Sequence, residues 1–160
     1  TRGLGYSFGY NSAEDTRHTL SGPDLIRMLV DVVSKNGNLL INVGPDGAGR
    51  IPELQRQTMQ QLGAWLRVNG SAIYGTRPWV RFGEAAGAPV RYTRSEAGVH
   101  VHALDPSVGE LPLPSELSAG EARWADGCHA EVIRATDGST SVRIPDALRE
   151  TPVSTVTVTP

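Results

Sequence analysis

Apolar positions in the first half of the chain recur at helical spacing, whereas in the second half they alternate with polar ones. In SGPDLIRMLVDVVSKNG, residues 21–37, the side chains of Leu25, Met28, Leu29 and Val32 fall on one face of a helix. Ser21 stands as its N-cap, and Asp24 sits where a capping box places its acid. Pro23 lies in the first turn, where a missing N–H costs nothing, and Asn36-Gly37 supplies the stop. NLLINV (38–43) is mostly apolar on both faces, as in a strand covered on both sides. A second helix is expected over 52–69, with Leu54, Leu62 and Leu66 on one stripe, Trp65 beside it and Asn69-Gly70 as its end. Helix, buried strand, glycine-rich turn and helix make the repeat of a parallel α/β fold.

The period then changes. RYTRSEAGVHVHAL (91–104) predicts two short strands around a turn at 96–98, with Val99, Val101 and Ala103 opposite His100 and His102. ARWADGCHAEVI, STSVRIP and VSTVTVTP add β-branched alternation between Asp-Gly turns and prolines. Five to seven antiparallel strands in a small β-sandwich are expected. The fold class is therefore α/β followed by all-β, divided near GTRPW (75–79) into residues 1–77 and 78–160.

Composition excludes more than it selects. Hydrophobic residues make up 39% and charged residues 20% of 160, which implies a packed core. Fifteen basic against 17 acidic side chains leave a formal charge of -2, without the basic excess of a nucleic-acid binder. No apolar run approaches a membrane span, and no signal-peptide pattern opens the chain. Cys128 is the lone cysteine, so no internal disulfide can form. The chain opens on Thr1 rather than methionine, and a processed or truncated piece of a longer protein is expected.

The glycine-rich turn GNLLINVGPDGAG (37–49) invites a phosphate, but no Lys-Ser or Lys-Thr pair follows it and its glycines do not match a dinucleotide fingerprint. His100 and His102 would share one face of a strand; two imidazoles fall short of a zinc site, Cys128-His129 does not complete it by spacing, and a solvent-facing surface is the preferred reading. Glu14 and Asp15 are adjacent and read as a solvated loop, with His18 in the same polar stretch. Trp65 and Trp79 are placed at the junction of the halves. Trp124 is either sandwich core or a sugar-stacking platform. No metal or cofactor is implied.

YSFGYN (6–11), LIRMLVDVVSKNGNLLINVGPDGAGRIP (25–52) and LGAWLRVNGSAIYGTRPW (62–79) resemble, in order and spacing, glycoside hydrolase family 29, the α-L-fucosidases. The resemblance implies the last part of a (β/α)8-like barrel followed by a C-terminal antiparallel β-sandwich. Residues 4–11 would end a late barrel strand and 38–43 would be the last one. It implies retaining hydrolysis of α-linked L-fucose through a covalent intermediate, with no cofactor. Such a barrel takes roughly 250 residues, so the nucleophile, the acid/base and the fucose-binding histidines would lie upstream. None of the catalytic carboxylates is expected in this chain, which alone would be inactive. Its partners would be a fucosylated glycan and the missing N-terminal barrel portion, on this polypeptide or another chain, with a homo-oligomer open; no nucleic acid or membrane is expected. The matching family position makes Phe8 a candidate for the fucose pocket, where contact with the deoxysugar methyl is worth ~0.8 kcal/mol; ordinary core packing is the alternative. Tyr6 and Tyr10 would share its face in a strand. Asn42, Gly44 and Asp46 fall at the pocket rim or serve structure, Asn42 as a buried amide tying the backbone. A stand-alone carbohydrate-binding or purely structural sandwich is the competing function, its platform resting on Trp124 and Tyr92.

Overall fold

A computed structural model describes residues 1–84, 89–118 and 120–159. The first half begins with β1 (Arg2–Gly3), followed by α1 (Gly22–Ser34), β2 (Ile41–Asn42) and α2 (Glu53–Asn69). β1 and β2 pair in parallel, Arg2 opposite Ile41 and Gly3 opposite Asn42, so α1 is the crossover of a β-α-β unit.

Local chemistry explains α1. The Ser21 hydroxyl accepts from the Asp24 N–H at 3.2 Å and donates to the Asp24 carboxylate at 2.6 Å. At the other end Asn36 takes the left-handed conformation (φ 63°). The Asn36 N–H then reaches the Val33 carbonyl and the Gly37 N–H reaches that of Val32, the pairing of a Schellman stop. Leu25, Ile26 and Val30 are buried against Leu4, Leu62, Trp65, Ile73 and Val153. The predicted stripe of α2 is shifted: its buried line is Gln55, Thr58, Leu62, Trp65 and Asn69, with Leu54 and Leu66 only partly covered. The expected strand over 38–43 narrows to two paired residues, and Leu40 is 64% exposed, because β1 is its one partner among the described residues.

Among the described residues the second half holds eight strands rather than five to seven: β3 (Arg77–Gly83), β4 (Val90–Ser95), β5 (Gly98–Ala103), β6 (Glu110–Leu113), β7 (Glu121–Trp124), β8 (Val132–Arg134), β9 (Thr140–Arg143) and β10 (Ser154–Thr159), with a short helix α3 (Asp146–Arg149) before the last. They form an antiparallel sheet in the order β3-β4-β5-β10-β7 and another in the order β6-β9-β8. Tyr92, Val101, Val156 and Trp124 of the larger sheet pack against Leu111, Leu113 and Val142 of the smaller, which makes a sandwich.

The back of the larger sheet meets the helical half. Arg91 on β4 pairs with Asp31 on α1 at 2.7 Å, and the Trp65 indole donates to the Val153 carbonyl at 2.9 Å. His100 and His102 lie in this junction at 1% and 0% exposure, which corrects the solvent-facing reading. The strand alternation correctly set them opposite Val99 and Val101; the covering layer is supplied by the helical half, as the bond from Thr93 beside His102 to the Ala72 carbonyl shows.

Candidate functional site

Because β1 and β2 are parallel, the chain leaves both at the same end, and the segments that follow them meet there. After Gly3 the backbone bends continuously through residue 9, so Tyr6, Phe8 and Tyr10 do not share a strand face as expected. All three are exposed, at 81%, 62% and 51%. Within this chain the Phe8 ring stands at the surface beside the paired strand ends.

Its backbone is held from both sides. The Phe8 carbonyl accepts a short hydrogen bond from Nδ2 of Asn42, the last residue of β2. The preceding N–H, that of Ser7, donates to Oε1 of Glu14 at 2.9 Å. Gly44 is buried, and a Cβ there would come within 2.7 Å of the Gly9 carbonyl carbon and 2.9 Å of the Tyr10 nitrogen. Only glycine lets the two segments come this close.

Asp46 organises its own turn. Its carboxylate accepts from the Ala48 and Arg50 N–H groups at 2.9 and 3.0 Å and from Arg50 Nε at 2.9 Å. The Arg50 N–H above all, with the Ala48 N–H and the guanidinium, holds its pKa below the usual carboxylate range. Asp15 is likewise engaged with Arg17 and lies beside His18, in the polar loop expected for it.

Glu14 departs from the solvated reading. Besides Ser7, its carboxylate accepts from Nε2 of Gln55 at 3.3 Å, and Gln55 Oε1 accepts from the Gly44 N–H at 2.9 Å. Gln55 is 2% exposed on the inward line of α2. Sequence reasoning missed this pair; the available signal was a glutamine in helical register with Leu62 and Trp65. A cavity of about 200 Å³ opens beside it, lined by Tyr10, Asn11, Glu14 and Pro52 among others.

The junction chemistry is structural. Thr93 donates its hydroxyl hydrogen to the Ala72 carbonyl, so it accepts from Nε2–H of His102 at 3.0 Å, and the other ring nitrogen lies 3.0 Å from the Thr155 hydroxyl. Burial, with a lesser contribution from His100, lowers the His102 pKa to about 3, so the ring is neutral at neutral pH and Nδ1 accepts from Thr155. His100 lies between Ser95 and Thr157, and burial lowers its pKa as well. No group of three or more metal-ligating side chains exists among the described residues. Trp124 is core, 3% exposed, and Tyr92 is fully buried with its hydroxyl on Glu84 at 2.6 Å, so neither offers a sugar platform. Trp79 packs on Tyr92, ring centres 5.1 Å apart, and lies on the sandwich core rather than at the junction where the sequence put it. Cys128 is an exposed free thiol.

Comparison with known proteins now adds to this geometry. Residues 1–71 match the family model for alpha-L-fucosidase. The chain is 37% identical over 108 residues to an alpha-L-fucosidase of Branchiostoma floridae, covering 67% of this chain and 24% of that protein. It is 36% identical over 116 residues to the plasma alpha-L-fucosidase of Rattus norvegicus, covering 72% and 25%. It spans about a quarter of the length of these relatives. Among solved structures, the alpha-fucosidase of Thermotoga maritima in complex with fucose superposes with a TM-score of 0.82 at 38% identity, over 99% of this chain and 39% of that one. Alpha-L-fucosidase isoenzyme 1 of Paenibacillus thiaminolyticus gives 0.83 at 32% identity, over 98% and 38%. By sequence in its helical half and by fold along nearly its whole length, this chain belongs to the α-L-fucosidase family.

Proposed function

We propose that this chain supplies the end of the catalytic barrel, the pocket rim and the bracing sandwich of a retaining enzyme that hydrolyses α-linked L-fucose from glycans. Residues 1–77 form the barrel part and residues 78–160 the brace. The observation that carries this reading is the parallel β1–β2 pair with the exposed ring of Phe8 at the end where its loops emerge, in a chain matched to fucosidases. Barrel enzymes build their sites on the loops at this end.

Phe8 lines the pocket and packs on the apolar face and methyl group of the fucose. The Thermotoga maritima relative was solved with fucose bound. A retaining hydrolase needs two carboxyl groups ~5–5.5 Å apart across the scissile bond. Near Phe8, Glu14 and Asp46 are already committed to backbone N–H groups, so both catalytic carboxylates come from the remaining barrel portion. That portion pairs with the open edges of β1 and β2 and covers Leu40, whether it lies on this polypeptide or on a partner chain; no cofactor takes part. The full gene product is expected to release nitrophenol from p-nitrophenyl α-L-fucoside, and Phe8→Ala to raise KM by about fourfold or more, the equivalent of one lost methyl contact. A full gene product without activity on this substrate refutes the reading; an unchanged KM in Phe8→Ala removes Phe8 from the pocket.

A further inference from the structure

We infer that Glu14 and Gln55 are positioning residues that set the Phe8 loop against the glycine-rich turn, a proposal that rests on the fucosidase reading above. The two rim segments share no regular pairing beyond β1–β2, yet their backbones touch at Gly44 and Gly9. A chain of hydrogen bonds bridges them: Ser7 N–H to Glu14, Glu14 to the Gln55 amide, and Gln55 to Gly44 N–H. Gln55 rides on α2, so the helix holds both loops through one buried side chain.

Donors and acceptors in this relay have a fixed sense. Both ends are backbone N–H donors, and each needs an acceptor. Gln55 spends its oxygen on Gly44 and turns its NH₂ toward Glu14, which therefore has to accept at both oxygens, and a carboxylate does. Gly5 clears the space, since a Cβ there would collide with the Glu14 carboxylate. The ring between the clamps is that of Phe8, whose own carbonyl is taken by Asn42. Glu14 and Gln55 thus fix where the aromatic face stands without reaching the sugar themselves.

The same logic makes the relay testable by exchange. Glu14→Gln sets two amide NH₂ groups against each other, and turning either one leaves Ser7 or Gly44 unpaired. Gln55→Glu sets two carboxylates against each other. The double variant E14Q/Q55E restores the sense, with the new amide at 14 donating to the new carboxylate at 55 and each backbone N–H keeping an acceptor.

In the full gene product, each single variant is expected to raise KM for p-nitrophenyl α-L-fucoside about tenfold, the loss of one hydrogen bond to a charged group, with kcat changed far less. The double variant is expected to recover most of that loss. Amide exchange at Ser7 and Gly44 should quicken in the singles and slow again in the double. Singles with the parent's KM and the parent's exchange overturn the relay, and a double no better than the worse single overturns its donor–acceptor sense. Altered exchange with unaltered KM overturns the link to the sugar. If the parent does not hydrolyse the fucoside, the functional reading falls, and amide exchange alone still decides whether Glu14 and Gln55 clamp the two loops.

Discussion

His102 makes the folded chain sensitive to acid. In the junction it is neutral, fully buried and held between two threonine hydroxyls, and its pKa falls from 6.5 to about 3. In the unfolded chain the same ring binds a proton below its ordinary pKa. The unfolded state therefore takes up more protons between these values, and the stability due to His102 is fully present above pH 6.5 and lost as the pH falls toward 3. The slope approaches ~1.4 kcal/mol per pH unit, so lowering the pH by about two units from 6.5 removes about 2 kcal/mol. His100 is shifted the same way by burial and adds to the loss. Urea unfolding of the chain at several pH values, beside His102→Gln, measures the effect. Glutamine does not titrate, so the variant is expected to be less stable at neutral pH but to lose about 2 kcal/mol less over the same range. Parallel pH profiles for parent and variant would refute a buried neutral imidazole at this position.

Three further outcomes follow from particular contacts. Trp65→Phe removes an indole donor and leaves the Val153 carbonyl without its partner, whereas the buried Trp124 N–H has no partner among the described residues; thermal unfolding should show Trp65→Phe to be costlier than Trp124→Phe by about 1–3 kcal/mol. Asn36 sits at φ 63°, so Asn36→Gly should be neutral or slightly stabilising and Asn36→Val should cost about 1–2 kcal/mol, read by denaturant unfolding. Gly44→Ala drives a Cβ into the Gly9 and Tyr10 backbone, and in the full gene product it should raise KM for the fucoside more than Gly47→Ala, whose Cβ meets nothing. Equal effects at the two glycines would remove the close approach from the account.

What the sequence discloses follows the range of the forces involved. Ser21, Pro23, Asp24 and Asn36-Gly37 act on neighbouring backbone, so both ends of α1 can be read directly. The β4–β5 hairpin is equally local, with Gly98 at its turn. The burial of His100 and His102 depends instead on a helical half that precedes them in the chain, and alternation shows only that they oppose Val99 and Val101. Glu14 reaches Gln55 across 41 positions, and an isolated acid next to Asp15 gives no hint of it. The bend of residues 4–9 likewise removes the shared face expected of Tyr6, Phe8 and Tyr10. A short apolar run such as NLLINV announces a strand but cannot supply the neighbours that would extend its pairing beyond Ile41–Asn42.

The most direct measurement sets the full gene product beside this 160-residue chain, each verified by intact mass and assayed on p-nitrophenyl α-L-fucoside. Nitrophenol release by the longer protein and none by the chain is the predicted result, because the proposed reading assigns rim and brace to this chain and the catalytic carboxylates to the remaining barrel portion. Hydrolysis by the 160-residue chain alone would contradict the account and make Glu14, Asp15 and Asp46 the residues to mutate next.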